Sequence, residues 1–513
     1  MKPREKAASG PWTLFLLLGL LALGTGVLAA WGLADTDGQG IYPLDDSYIH
    51  LSVARNLAEE GRWGFSPGQT AFASSAPGYT LLLALLIRIG GEATYWPLLL
   101  NALAALLLSI AVWRLWPSWR GKALVWLVLM LLLPLPLLVL LGMEHTLHLA
   151  ACVMLVKHLS HLVADPDKRL GPWLGWIVLA VSLRYETLFL VATATLALGW
   201  QFRLRAALLV AGLGALTVFA WGSWSVAQGG TWLPLSLLTK GYAPQSDLIA
   251  WVGQAGEKLY ENPFMLTLAI ALLLALTRPL PKIPHAWLSL TLGVVGLHLL
   301  FAEVGGYRYE AYLVMLAGVG LGVLAPSFTP SLSQRLPWLG VALLLIFPLV
   351  VRSGFFLYHY PDATRNIYQQ PYQVGRFLQQ YYPGEAVGLN DIGLGTYLGH
   401  IQLTDLVGVG DTEVQQARSR GDYNAQSLDQ LARARKLRIA IGHPLWIRDW
   451  IPPHWEKVAT WTVTDNFILA GDELAFYAVD PVEAQRLRQA LQDFEGELPA
   501  AVRVDYPTPA LTR

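Results

Sequence analysis

Two carboxylates stand side by side in Leu44-Asp45-Asp46-Ser47-Tyr48-Ile49-His50-Leu51, and the stretch runs on to Arg55-Asn56-Leu57-Ala58. Paired acids beside an apolar segment suit proton transfer. One carboxylate can serve as a general base while its neighbour holds a cation or a polar substrate group. Near a low-dielectric boundary the pKa of such a group rises toward working pH. A structural role is equally open from this stretch alone, with Asp45 as N-cap of a helix starting near residue 46 and Asp46 solvated beside it. That helix is amphipathic: Ile49, Val53 and Leu57 share one side, with His50 and Arg55 elsewhere, a pattern fitted to a membrane surface.

Other ionisable residues gather where apolar runs end or break. They are Glu144 and His145 in Gly142-Met143-Glu144-His145, Arg184 and Glu186 in Leu183-Arg184-Tyr185-Glu186, Lys240 in Leu237-Leu238-Thr239-Lys240-Gly241, and Glu303 with Tyr307-Arg308-Tyr309-Glu310. Charges at membrane depth are costly and usually line a functional cavity. Arg184 and Arg308 carry the planar fork that matches a phosphate, and Lys240 would add a point charge. Any one of them reads as well as interfacial snorkelling or a structural ion pair. His145 and His148, three apart, read as a helix-end pair meeting neighbouring helices rather than as metal ligands. Asn390, Asp391 and Asp405 lie near strand ends, where loop capping is the default.

These residues must be positioned by membrane helices. Only 14% of the 513 residues are charged and 54% are hydrophobic, against about 25% charged in soluble domains. The net charge is zero, so no global field favours nucleic acid. The one cysteine, Cys152, excludes an internal disulfide and a cysteine zinc site. Lys2, Arg4 and Lys6 precede the apolar run Trp12–Leu33, which at about 22 residues exceeds a signal-peptide core and reads as a retained first helix. Further apolar segments cover 77–90, 95–113, 122–141, 145–163, 172–183, 187–200, 205–227, 262–277, 286–302, 308–325 and 336–357.

Basic clusters orient the chain. Arg114 with Arg120 and Lys122, Lys157 with Lys168 and Arg169, Arg203 with Arg205, Arg278 with Lys282, and Arg335 are placed on the cytoplasmic side with the N-terminus. The connections 34–76 and 228–261, the breaks at 142–146, 184–186 and 303–310, and the C-terminal part then share the opposite face. In that topology 77–90 is re-entrant or interfacial; the alternative turns 114–122 outward and makes 172–200 a single long crossing.

The expected fold is an α-helical polytopic membrane protein of about 11–12 embedded helices followed by a soluble α/β domain. Residues 1–357 form the membrane domain, with the outer loops 34–76 and 228–261, and 358–513 the extracytoplasmic domain. In the latter, 365–380 and Val482–Leu498 read as helices. Ala386–Leu389, Leu403–Val407, Arg438–Ile441, Trp455–Val463 and Leu474–Val479 read as strands.

At these residues the chain resembles the GT-C superfamily of polytopic glycosyltransferases, in particular bacterial arabinofuranosyl- and mannosyltransferase-like membrane proteins. The likeness rests on Asp45-Asp46-Ser47-Tyr48-Ile49, Ala54-Arg55-Asn56-Leu57-Ala58, Gly64-Phe65-Ser66-Pro67-Gly68 and Ser74-Ser75-Ala76-Pro77. Weaker echoes are Gly142-Met143-Glu144, Arg184 with Glu186, Leu233-Pro234 with Lys240, and Arg308-Tyr309. It spans roughly 12–325. Gln69 stands where an acid is usual and Tyr185 where a proline is common. The resemblance implies a polyprenyl-phosphate sugar donor, an extracytoplasmic glycan or protein acceptor, a bacterial plasma membrane location and inversion at the anomeric carbon. In it Asp45 is the base, and Asp46 positions donor, acceptor or a divalent cation (Mg, Mn or Ca). Arg184, Lys240 and Arg308 meet the donor phosphate, and Tyr48, His50, Arg55, Glu144, His145, Glu186, Tyr309 and Glu310 complete the cavity. A flippase of lipid-linked glycan would show two similar halves, which this chain lacks. A non-catalytic glycan-binding membrane protein is the other alternative.

Overall fold

The computed structural model describes residues 11–115, 121–239, 248–324 and 332–507; Arg120, Lys240 and the side chain of Arg335 lie outside the described residues. Among the described residues six helices are long and apolar enough to cross a bilayer: Trp12–Ala34, Trp96–Leu115, His145–Ala164, Leu204–Ala227, Lys282–Phe301 and Leu339–Tyr358. A seventh span exists if Ile249–Glu261 and Pro263–Leu276, bent by 99°, count as one. The bend falls at Asn262, held off the helical region by the proline that follows it. The dozen apolar segments of the sequence are all helical, but Pro77–Gly90, Lys122–Leu132, Pro172–Leu183, Thr187–Trp200 and Ala311–Leu324 are too short for a full crossing by themselves. The stretch 172–200 is two helices broken at Arg184, whose backbone is extended. The chain is a multi-pass membrane protein with an added α/β part.

By compactness it divides into two units. One comprises Met1–Leu28, Leu98–Ala220 and Tyr242–Tyr358; the other comprises Ala29–Pro97, Trp221–Gly241 and His359–Arg513. The first is helical. His145–Ala164 packs against Lys282–Phe301 and Ala311–Leu324, and Thr187–Trp200 packs on Lys282–Phe301. Ala311–Leu324 is apolar all round and buried along most of its length. A Cβ at its Gly318 would come within 2.1 Å of the tip of the Leu129 side chain, which would have to shift, the close helix approach that small residues permit in membranes.

The second unit is built on a six-stranded sheet of β1 (Ala386–Leu389), β2 (Gln402–Asp405), β3 (Ile439–Gly442), β4 (Glu456–Val463), β5 (Glu473–Ala478) and β6 (Val502–Asp505), in the order β2-β1-β3-β5-β4-β6. β1 is parallel to both β2 and β3, and the remaining pairs are antiparallel. Five strands and the helix Pro481–Glu495 match the sequence reading. β6 and the helices Leu394–Gly399, Thr412–Arg420 and Ala425–Arg435 are additional; short and mostly polar, they leave little periodic signal.

The core of this unit interlocks Phe377, Trp461, Phe476 and Phe494, with Trp461 stacked on Phe494 at 6.1 Å. Val53, Trp63, Phe65 and Phe72 of the first outer loop belong to the same cluster. Ser66 Oγ donates to the Ile401 carbonyl and accepts from the Leu403 N–H, both at 2.9 Å, and so covers the outer edge of β2. The loop 34–76, assigned by sequence to the membrane domain, therefore folds in one unit with the C-terminal residues. Phe72→Ala in the loop and Trp461→Ala in the sheet are both expected to destabilise the full-length protein by about 3–5 kcal/mol. Thermal unfolding followed by tryptophan fluorescence checks this; an unmoved midpoint in Phe72→Ala would make the loop peripheral.

Candidate functional site

The helix Asp46–Glu60 begins at Asp45, but Asp45 does not cap it. Its own backbone is already helical, at φ −64° and ψ −32°, and its side chain makes no bond to that first turn. The cap read from the sequence is replaced by one in trans. Asp45 Oδ2 accepts from the Gly393 N–H and Oδ1 from the Leu394 N–H, each at 2.7 Å. Gly393 and Leu394 open the short helix Leu394–Gly399 that follows β1. Glycine is required at 393 by proximity, since a Cβ there would lie 2.2 Å from the Asp45 carbonyl oxygen and 2.6 Å from its carboxyl group.

Two more residues of the same helix seat it. Arg55, buried, donates to the Tyr397 carbonyl at 2.7 Å and to Glu92 at 3.1 Å, with its guanidinium 5.0 Å over the Tyr397 ring. Tyr48 lies 6.0 Å from the Tyr397 ring, and its hydroxyl accepts from the Tyr42 N–H at 3.1 Å. His50 Nδ1 sits 3.1 Å from Thr80 Oγ1 and 3.2 Å from Ser74 Oγ, linking the helix to Pro77–Gly90. It serves packing.

Removal from water, first, and the negative Asp391, second, push the Asp45 carboxyl up to about 7; Asp46 adds to this, and the two N–H bonds offset part of it. Asp46 is the first residue of its helix, where the dipole favours an acid. Both Asp45 oxygens accept from backbone N–H groups. Among the described residues no group of three or more His, Cys, Asp or Glu is placed to hold a metal ion.

In the helical unit three of the sequence's helix-end groups come together. Arg184, 5% exposed, donates through Nη1 to Glu144 at 2.6 Å and through Nη2 to Glu186. The His145 ring lies 6.4 Å from the Tyr309 ring. Tyr309 also meets two guanidinium groups, Arg184 at 5.5 Å and Arg308 at 4.8 Å from its ring. Arg308 is half-buried, with Nη2 on the Tyr309 hydroxyl and Nη1 on the Met143 sulfur, both at 3.1 Å. Glu310 is buried, accepts from the Gly305 N–H at 3.0 Å and pairs with Arg352. His148 is taken up by Thr187 and Cys152. Both terminal nitrogens of Arg184 are thus committed to carboxylates, whereas Arg308 stands at the edge of the cluster.

Sequence reasoning missed His443, which has no motif around it. It is fully buried, and its Nε2 lies 3.1 Å from Asp391 Oδ2. Asp405 does cap its loop, accepting from Val407 and Gly410 N–H, with burial pushing it up to about 6.

Residues 365–477 match a family model described as a domain of unknown function (DUF8728). No curated protein matches the chain. Two solved structures of ArnT from Cupriavidus metallidurans are similar. The apo structure is 13% identical with a TM-score of 0.48, over 92% of this chain and 98% of that one. The structure bound to undecaprenyl phosphate is 14% identical with a TM-score of 0.48, over 91% and 99%.

The two arginines are expected to separate by stability. Arg184→Ala strands Glu144 as a buried uncompensated charge and should cost about 3–5 kcal/mol. Arg308→Ala, at a half-buried position, should cost about 1 kcal/mol or less. Unfolding midpoints of the two purified variants check the difference, and equal losses would contradict it.

Proposed function

We propose that this chain is a membrane glycosyltransferase of the GT-C type. It moves a sugar from a polyprenyl-phosphate donor to an acceptor hydroxyl outside a bacterial plasma membrane, with the N-terminus in the cytoplasm. The observation that carries the reading is Asp45: a carboxyl gripped by two backbone N–H groups and poised near neutral pH, in the stretch whose residues most resemble the family. In an inverting displacement the acceptor oxygen attacks the anomeric carbon, the bond to the phosphate breaks, and the acceptor proton passes to Asp45. The polyprenyl phosphate leaves with the bonding electrons. The fixed N–H donors hold the carboxylate in one orientation, so that little reorganisation accompanies proton transfer. Arg308 and Lys240 are the cations we assign to the donor phosphate, and Arg184 supports Arg308 through Tyr309.

The test is deletion of the gene followed by mass analysis of surface glycans and glycoproteins, with complementation by wild type and by Asp45→Asn. The wild type should restore the missing sugar. The Asn variant, unable to take the proton, should transfer slower by about 10²–10⁴-fold; full restoration by Asp45→Asn would remove Asp45 from the chemistry.

The pH dependence has a definite sign. A base must be ionised to act, and the Asp45 carboxyl is raised to about 7. Transfer rates at low donor concentration should therefore climb as pH rises through about 7 and level off above it. A rate already flat between pH 5 and pH 7 would contradict this.

A further inference from the structure

The turn that grips Asp45 leaves β1 at the point where neighbouring strands diverge, β2 on one side and β3 on the other. In parallel sheets this crevice beyond the carboxyl ends is where ligands are bound; here Asp45 occupies it. What keeps the turn in place is a closed set of contacts. Asn390 Oδ1 accepts from the His443 N–H at 3.0 Å, and Asn390 Nδ2 donates to Asp391 Oδ1 at 3.3 Å. His443 Nε2 faces Asp391 Oδ2 at 3.1 Å, and its Nδ1 faces the Glu473 carbonyl at 2.8 Å. Both ring nitrogens thus meet oxygen partners, one on the β1 turn and one on β5. His443 follows β3 and Glu473 starts β5, so the imidazole ties the β1 turn to two further strands. It is fully buried, and Gly442 before it is pressed against Asn390, where a Cβ would sit 2.9 Å from Oδ1.

We propose that His443 and Asp391 are positioning residues for the transfer reaction, holding the Asn390–Leu394 turn so that its two N–H groups present the Asp45 carboxylate in one orientation. This rests on the glycosyltransferase reading above. Their positioning effect passes through the Gly393 and Leu394 amides to a side chain 348 residues away in sequence, beside the direct effect of the Asp391 charge on Asp45. A misplacement of about 1 Å at a reacting group can cost about 10²-fold in rate.

The test uses purified full-length wild type, His443→Gln, Asp391→Asn and the charge-keeping Asp391→Glu. Lipid extract from the deletion strain serves as donor and membranes of that strain as acceptor, with the extract titrated by dilution. His443→Gln and Asp391→Asn should lower the maximal rate by about 10²-fold with the half-saturating donor level unchanged, and Asp391→Glu should recover part of the loss. Hydrogen–deuterium exchange on the same samples needs no turnover. Uptake should rise in peptides covering 390–395 and 44–49 and stay at wild-type levels in β4 and β5. Wild-type maximal rates, or a raised half-saturation level alone, would overturn the proposal, as would unchanged exchange or exchange raised across the whole sheet. If wild type transfers nothing while the exchange pattern holds, the functional reading fails and the positioning contact stands.

Discussion

The contact on which the C-terminal unit depends is the carboxylate of Asp45 against the N–H groups of Gly393 and Leu394. Hydrogen bonds to a charged acceptor contribute about 1.5–3 kcal/mol each, and these two bring together residues 348 and 349 apart in sequence. The same outer helix touches the short helix Leu394–Gly399 near its other end through Arg55 and the Tyr397 carbonyl. An acid at the N-terminus and a base near the C-terminus agree with the direction of a helix dipole. The seat is finished by apolar packing: Trp63, Phe65 and Phe72 enter the same core as Phe377 and Trp461. A loop expected to hang from the membrane helices is thereby an integral layer of the α/β unit.

Within the helical unit the governing constraint is different. An isolated charge among apolar helices is costly, and the fully buried carboxylates Glu144 and Glu310 are each paired with an arginine. Glu144, Arg184 and Glu186 form one compensated set and Glu310 with Arg352 another. Arg184 holds its two carboxylates and, through the face of Tyr309, adjoins Arg308 at the cluster's edge. Three separate breaks in the apolar runs thus converge, two of them through the Arg184–Glu144 pair and the third through Tyr309 and Arg308.

Much of this was legible in the sequence. Apolar runs of helical length have one low-energy fate in a bilayer, because a helix satisfies its backbone hydrogen bonds within itself; the hydropathy pattern therefore determined the membrane helices and their breaks. The alternation of short apolar stretches likewise marked five of the six strands, and the charged residues at the breaks of the helical runs were visible as candidates for a site. Tertiary structure alone decided the partners. The direction of the Asp45 carboxylate, the role of His443 and the neutralisation of Arg184 each depend on residues tens to hundreds of positions away, and neither periodicity nor local propensity carries information about such pairings. A side chain's type limits what it can bind, but only the folded chain brings the donor within reach.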